Sequence, residues 1–195
     1  MRVIGIDPGL VRSGWAVVEP AGLGPLDLRP LPGAALGRVS VLAHGLIAPT
    51  PAAELPTRLA DGGRQLRDVL RTYAPELASL EDIFTAPRHP RSALLMAHMR
   101  GVICLVLEEA GVPVLPLTAT TVKQRLTGSG HASKQQIQRM VLRLTGIPAP
   151  QSMRWDESDA LALALAGLSQ TLQPRRGQLT RRISPAVLAA MARDR

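Results

Sequence analysis

The sequence predicts an α/β fold: a five-stranded mixed sheet, its first three strands antiparallel, flanked by helices. Three patterns point there. Short runs rich in β-branched residues, cut by Pro and Gly, come first. After residue 51, stretches of helical spacing alternate with short apolar runs, which suits parallel strands joined by helices. A final helix, about 155 to 172, is nearly all Ala and Leu and needs an apolar layer to cover it.

Taken in order, Val3, Ile4 and Ile6 form the first strand, and Pro8-Gly9 break it after Asp7. Trp15 to Val18 follows a six-residue connection, a hairpin signal. Residues 20 to 39 are rich in Pro, Gly and Leu and read as a long connection. Val39 to Ile47 supplies the third strand. From Pro51, Leu55, Leu59, Leu66, Leu70 and Tyr73 recur at helical spacing, despite Gly62-Gly63 in the middle. Residues 77 to 84 (LASLEDIF) make a fourth strand. Pro87 and Pro90 frame a loop, and Ser92 opens a second helix reaching about Ala110. That helix is apolar nearly all round after Gly101, so the core or another subunit must bury it. Val112 to Leu117 is the fifth strand. A helical turn over 121 to 126 carries Lys123, and Ser133 with Gln136 forms a capping box for the next helix.

Length suggests one domain, residues 1–173, with a tail over 174–195 holding a short helix that starts near Ser184 and Pro185. A net charge of +8 and a pI near 11.2 suggest a polyanionic partner, most often nucleic acid. The tail holds six Arg and one Asp, so five of those charges lie there and three in the body. A nucleic-acid site in the body must therefore be a local patch. Only Lys123 and Lys134 are Lys among 23 basic residues, which suggests a site that wants a compact ammonium. The single cysteine, Cys104, cannot form an internal disulfide and fits a reduced, cytoplasmic setting. No run is apolar for long enough to span a membrane, and no secretion signal is apparent.

Asp7 ends the first strand, where it either starts a turn or holds a metal or acts in catalysis. Glu81 ends the fourth strand in the same way, and alternation sends Asp82 to the opposite face. Asp156 and Asp159, three apart, share a face of the last helix, while Glu157 points elsewhere. Acids in a first helical turn complement the helix dipole. Aligned carboxylates heading a buried helix also repel, and a bridging cation such as Mg²⁺ removes that cost. The four acids can thus form one cluster able to hold two divalent ions, an arrangement that hydrolyses phosphodiesters. Lys134 or Lys123 could neutralise the scissile phosphate. No zinc-spaced Cys/His set, no G-x-x-x-x-G-K-[ST] and no G-x-S-x-G is present. Phe84, the sole Phe, either caps the core or stacks on an unpaired base beside Arg88 and Arg91.

Over about residues 2 to 172 the chain resembles the RuvC family of bacterial Holliday-junction resolvases, within the ribonuclease H-like superfamily. GIDPG at 5–9, LEDIF at 80–84, VKQRLTGSGHASKQQIQ at 122–138 and DESDALALA at 156–164 carry the likeness. The resemblance implies a ribonuclease H-like fold and catalytic, metal-binding roles for Asp7, Glu81, Asp156 and Asp159. It implies two Mg²⁺ per site, with Mn²⁺ able to substitute. It gives Lys123 and Lys134 contacts to DNA, Lys134 also a catalytic role, and makes Phe84 a wedge at the exchange point. Ser13, Arg88 and Arg91 are further candidate DNA contacts. It also implies a homodimer that nicks two strands of like polarity, leaving 5′-phosphate and 3′-hydroxyl ends, with RuvA and RuvB as partners. The 20–39 connection, the two prolines after Phe84 and the basic tail depart from the family pattern. A junction-binding protein without catalysis and an actin- or hexokinase-like phosphotransferase are alternatives. The intact acid set argues against the first, the chain length against the second.

Overall fold

The computed structural model describes residues 1–9, 11–21, 39–82, 90–147 and 153–172. Five strands and five helices follow in the order β1 (Val3–Asp7), β2 (Ser13–Pro20), β3 (Val39–Ile47), α1 (Leu55–Tyr73), β4 (Leu77–Glu81), α2 (Pro90–Glu109), β5 (Val114–Leu117), α3 (Ala119–Thr127), α4 (Lys134–Thr145) and α5 (Trp155–Leu172). The strands form one sheet in the order β3-β2-β1-β4-β5. β1, β2 and β3 pair antiparallel, while β1, β4 and β5 run parallel. The mixed sheet and its leading meander match the sequence expectation.

Strand alternation divides the apolar residues between two layers. Ile4, Ile6, Val17, Ala78 and Leu80 face α1 and α2, where Leu66, Leu70, Met99, Ile103 and Leu107 are buried. Val3, Ala16, Val18 and Val39 face α5, α4 and α3. On α5, Leu161, Leu165 and Leu168 are fully buried, each contributing about 2 kcal/mol by removal from water.

Several boundaries differ from the sequence reading. α1 begins at Leu55 rather than Pro51, because residues 51–53 form a turn and Pro56 fits the first helical turn. Its two glycines are tolerated because α2 fills their place: a Cβ on Gly62 would lie 2.7 Å from Cε of Met99. The described part of the fourth strand stops at Glu81, and Phe84, Pro87 and Arg88 lie outside the described residues. α2 starts at Pro90, two residues early, and β5 starts at Val114, two residues late. The turn around Lys123 is a helix of nine residues, capped by the Thr118 hydroxyl, which accepts from the Thr121 N–H. The capping box of Ser133 and Gln136 on α4 is present as read. Residues 22–38 of the 20–39 connection and the tail beyond 172 fall outside the described residues. No helix among the described residues is long and apolar enough to cross a membrane.

Candidate active site

Parity on neighbouring strands decides which acids meet. Val3 and Gly5 face α5, so Asp7 at the end of β1 faces it too. On β4, Leu77 and Ser79 face α5, and Glu81 follows them. β1 and β4 are parallel with Ile6 opposite Leu80, so the two acids leave adjacent strands at one sheet edge. Asp82 has the other parity and pairs with Arg100 of α2 at 3.5 Å. This is the choice of Glu81 over Asp82 that alternation suggests.

Glycine lets α5 come close enough to complete the set. Gly14 pairs with Asp7 across the hairpin, and a Cβ on it would lie 1.9 Å from the Asp156 carbonyl oxygen. A Cβ on Gly5 would lie 2.1 Å from the Ala160 oxygen and 2.4 Å from the Ala164 nitrogen. The helix backbone thus rests directly on β1 and β2. Its first turn then holds Asp156 and Asp159 over the ends of the strands.

The electrostatics record the convergence. Burial pushes the Asp7 carboxyl up to about 8, helped by the charge of Glu81, a hydrogen bond with Glu81, and the charges of Asp159 and Asp156. The metal-free protein therefore holds the Asp7 proton far more readily than an exposed carboxyl would. Two cations answer the remaining charge. Lys134 at the start of α4 donates to Asp159 at 2.7 Å, and Arg12 sits 3.7 Å from Asp156. Lys123 on α3 lines a cavity of about 240 Å³ with Glu81, Lys134 and Asp159. Both lysines therefore reach one site, and Lys134 is the one in contact with an acid.

The donor set suits a divalent cation: four carboxylates, all hard oxygen donors, drawn from β1, β4 and α5, with excess negative charge to neutralise. Among the described residues no three His, Cys, Asp or Glu side chains are already grouped to hold an ion. Lys134 and Arg12 stand on Asp159 and Asp156 instead, in places that metal ligation would need them to yield.

Ser13 requires a correction. It is fully buried, and its hydroxyl accepts from the Gly9 N–H at 3.0 Å and donates to the Gly9 carbonyl at 2.9 Å. It closes the turn after Pro8. Phe84 and Arg88 lie outside the described residues, as does the side chain of Arg91, whose backbone is in the first turn of α2.

Sequence reasoning passed over three neighbours of the site. Arg12 is one. Trp155 is another, 48% exposed, with the Lys134 ammonium 5.0 Å from its ring centroid. His44 on β3 pairs with Glu157 at 2.9 Å, and the other Glu157 oxygen accepts from the Arg154 N–H at 3.0 Å, tying the start of α5 to the far strand of the meander. Trp155 carried a signal, since it directly precedes an acid of the cluster; His44 carried none.

The family model for "Crossover junction endodeoxyribonuclease RuvC" matches residues 3–167. A protein of that description from Rhodopirellula baltica is 38% identical over 168 residues, covering 85% of this chain and 84% of the relative. Another from Bordetella avium is 37% identical over 197 residues, covering 100% of this chain and 93% of the relative. Among solved structures, RuvC of T. thermophilus in complex with Holliday junction substrate superimposes with a TM-score of 0.75 at 28% identity, covering 88% of this chain and 95% of that one. Sheet order, the acids at its edge and these matches agree, and the chain belongs to the RuvC family of crossover junction endodeoxyribonucleases.

Proposed function

We propose that the chain resolves four-way DNA junctions as a homodimer, nicking one phosphodiester per subunit and leaving 5′-phosphate and 3′-hydroxyl ends. The observation that carries this reading is the convergence of Asp7, Glu81, Asp156 and Asp159 at one sheet edge, where burial, and after it the neighbouring acids, push Asp7 up to about 8. Those four acids would hold two Mg²⁺ ions, with Mn²⁺ able to replace them. When bound, the ions supply the acidity that activates the attacking water and the charge that stabilises the leaving 3′ oxygen. Asp7 would serve as a ligand in its ionised form. Lys134, beside Asp159, would neutralise the scissile phosphate, with Lys123 on the same cavity wall. Arg12, beside Asp156, would hold the flanking backbone. On the resemblance alone, Phe84 enters the exchange point and Arg88 and Arg91 contact the backbone. The setting is the cytoplasm, with RuvA and RuvB as partners.

Radiolabelled synthetic junctions in Mg²⁺ or Mn²⁺ test the reading. Paired symmetric nicks that ligase reseals are expected, with linear duplex of the same sequence left uncut. Intact junctions would overturn it.

The dimer reading rests on α2. Leu94 and Leu105 are 62% and 56% exposed, and Ala97, His98 and Gly101 between them are exposed as well. A Cβ on Gly101 meets nothing within 4 Å. These residues share one helix face and form an apolar stripe of the kind a second copy covers. Leu105→Glu is expected to convert dimer to monomer in analytical ultracentrifugation and to uncouple the two nicks, so that singly nicked junctions accumulate.

A further inference from the structure

Trp155 opens α5 and immediately precedes Asp156. The Lys134 ammonium lies 5.0 Å from its ring centroid and bonds Asp159 at 2.7 Å, so one lysine links the indole to the acid cluster. The ring is nonetheless 48% exposed. The chain has four aromatic residues. Of the three whose side chains are described, Trp15 and Tyr73 pack on each other with centroids 5.6 Å apart, on the opposite layer of the sheet. Trp155 alone of these stands at the acids. A large apolar ring left open to water is costly, and Trp gains most from a flat partner. A protein that binds a phosphate with Lys134 also brings the attached nucleoside to this edge.

We infer that Trp155 is a stacking platform for a nucleobase adjoining the scissile phosphate. The ligand class is an unpaired or splayed base of the DNA substrate, held by its π-face and therefore with little hydrogen-bond selectivity. The ring and the ammonium act together: Lys134 takes the phosphate while the indole takes the neighbouring base, fixing the scissile bond along the strand. This rests on the junction-nicking reading above and adds a residue that sets which step is cut and how well it is held.

The test uses a Trp15→Phe background, in which Trp155 is the only tryptophan. Binding of a four-way junction in EDTA is expected to quench its fluorescence. 2-Aminopurine placed next to the cleavage point should change emission with this protein and not with Trp155→Leu. Trp155→Leu should raise the substrate concentration for half-maximal nicking by about tenfold, the size of one base–aromatic stack, whereas Trp155→Phe stays within about threefold. Circular dichroism melting of each variant separates a folding defect from a binding one. Unchanged fluorescence on binding, or equal nicking by the Leu and Phe variants at the same sites, overturns the platform and leaves the ring as a support for Lys134. If the parent protein leaves junctions uncut, the nuclease reading fails instead, and that outcome is read independently of Trp155.

Discussion

Asp7→Asn abolishes nicking, by at least about 10³-fold in rate, while junction binding in EDTA is unchanged. The loss exceeds the 10- to 100-fold expected from an outer-shell change because Asp7 lies at the middle of the acid set, next to Glu81 and within the field of Asp156 and Asp159. The same variant removes a pH dependence. In the metal-free parent, folding raises the Asp7 carboxyl from 3.8 to about 8. Between those values the folded state holds a proton that the unfolded state has released, so stability falls as pH rises from about 4 to 8. Asn cannot ionise. Metal-free Asp7→Asn is therefore more stable than the parent at pH 8, by a few kcal/mol out of the ~6 that the full shift represents, and nearly equal to it at pH 4. Calorimetric melting in EDTA at the two pH values reads this difference. Mn²⁺ binding to the parent should tighten toward pH 8, by up to about tenfold per pH unit, as the proton ceases to compete. Residual nicking by the variant at parental rates, or parallel melting curves across pH, would sink the assignment.

Gly5→Ala has the largest expected effect on stability. Its Cβ would sit 2.1 Å from one backbone atom of α5 and 2.4 Å from another, and backbone in a buried helix has no rotamer to change. Overpacking of this kind costs about 3 kcal/mol or more, which lowers the melting temperature by roughly 6–12 °C in a domain of this size. Gly14→Ala differs in kind. Its clash is with the Asp156 carbonyl oxygen in the first turn of α5, where the helix end can lift. It should cost less stability and more activity, because lifting that turn moves Asp156 and Asp159 away from Asp7. A Gly5→Ala protein that melts with the parent would show that α5 does not seat as described.

Much of this arrangement is legible in the chain. Pro8-Gly9 cuts an apolar run cleanly, and the alternation along LASLE assigns Glu81 and Asp82 to opposite faces before any coordinates exist. The D-x-x-D spacing places two acids on one helix face for the same local reason. What is not legible depends on contacts between distant segments. The composition of α5 reads as Ala and Leu, but nothing local says that Ala160, Ala164 and Gly167 are the small residues that meet Gly5 and Ser79. Gly62 and Gly63 look like flaws in α1 until Met99 and Val102 are seen against them. Ser13 looks like a free hydroxyl because the bond it makes with Gly9 depends on the exact fold of the turn. His44 is a polar residue in a strand until Glu157 arrives beside it.

The acids come from β1, β4 and α5, the first and the last of the described elements among them. A ribosome releasing this chain therefore exports Asp7 and Glu81 long before Asp159 exists, and a partial chain has half a catalytic centre. α5 also lies at the centre of one layer of the core, with α3 and α4 packed beside it, so the helix that completes the chemistry is the one that completes the core. A crossover junction endonuclease thus becomes competent only when synthesis has passed its last acid and the fold has closed. Premature termination or a failed docking of that helix yields an inert product rather than a loose nuclease.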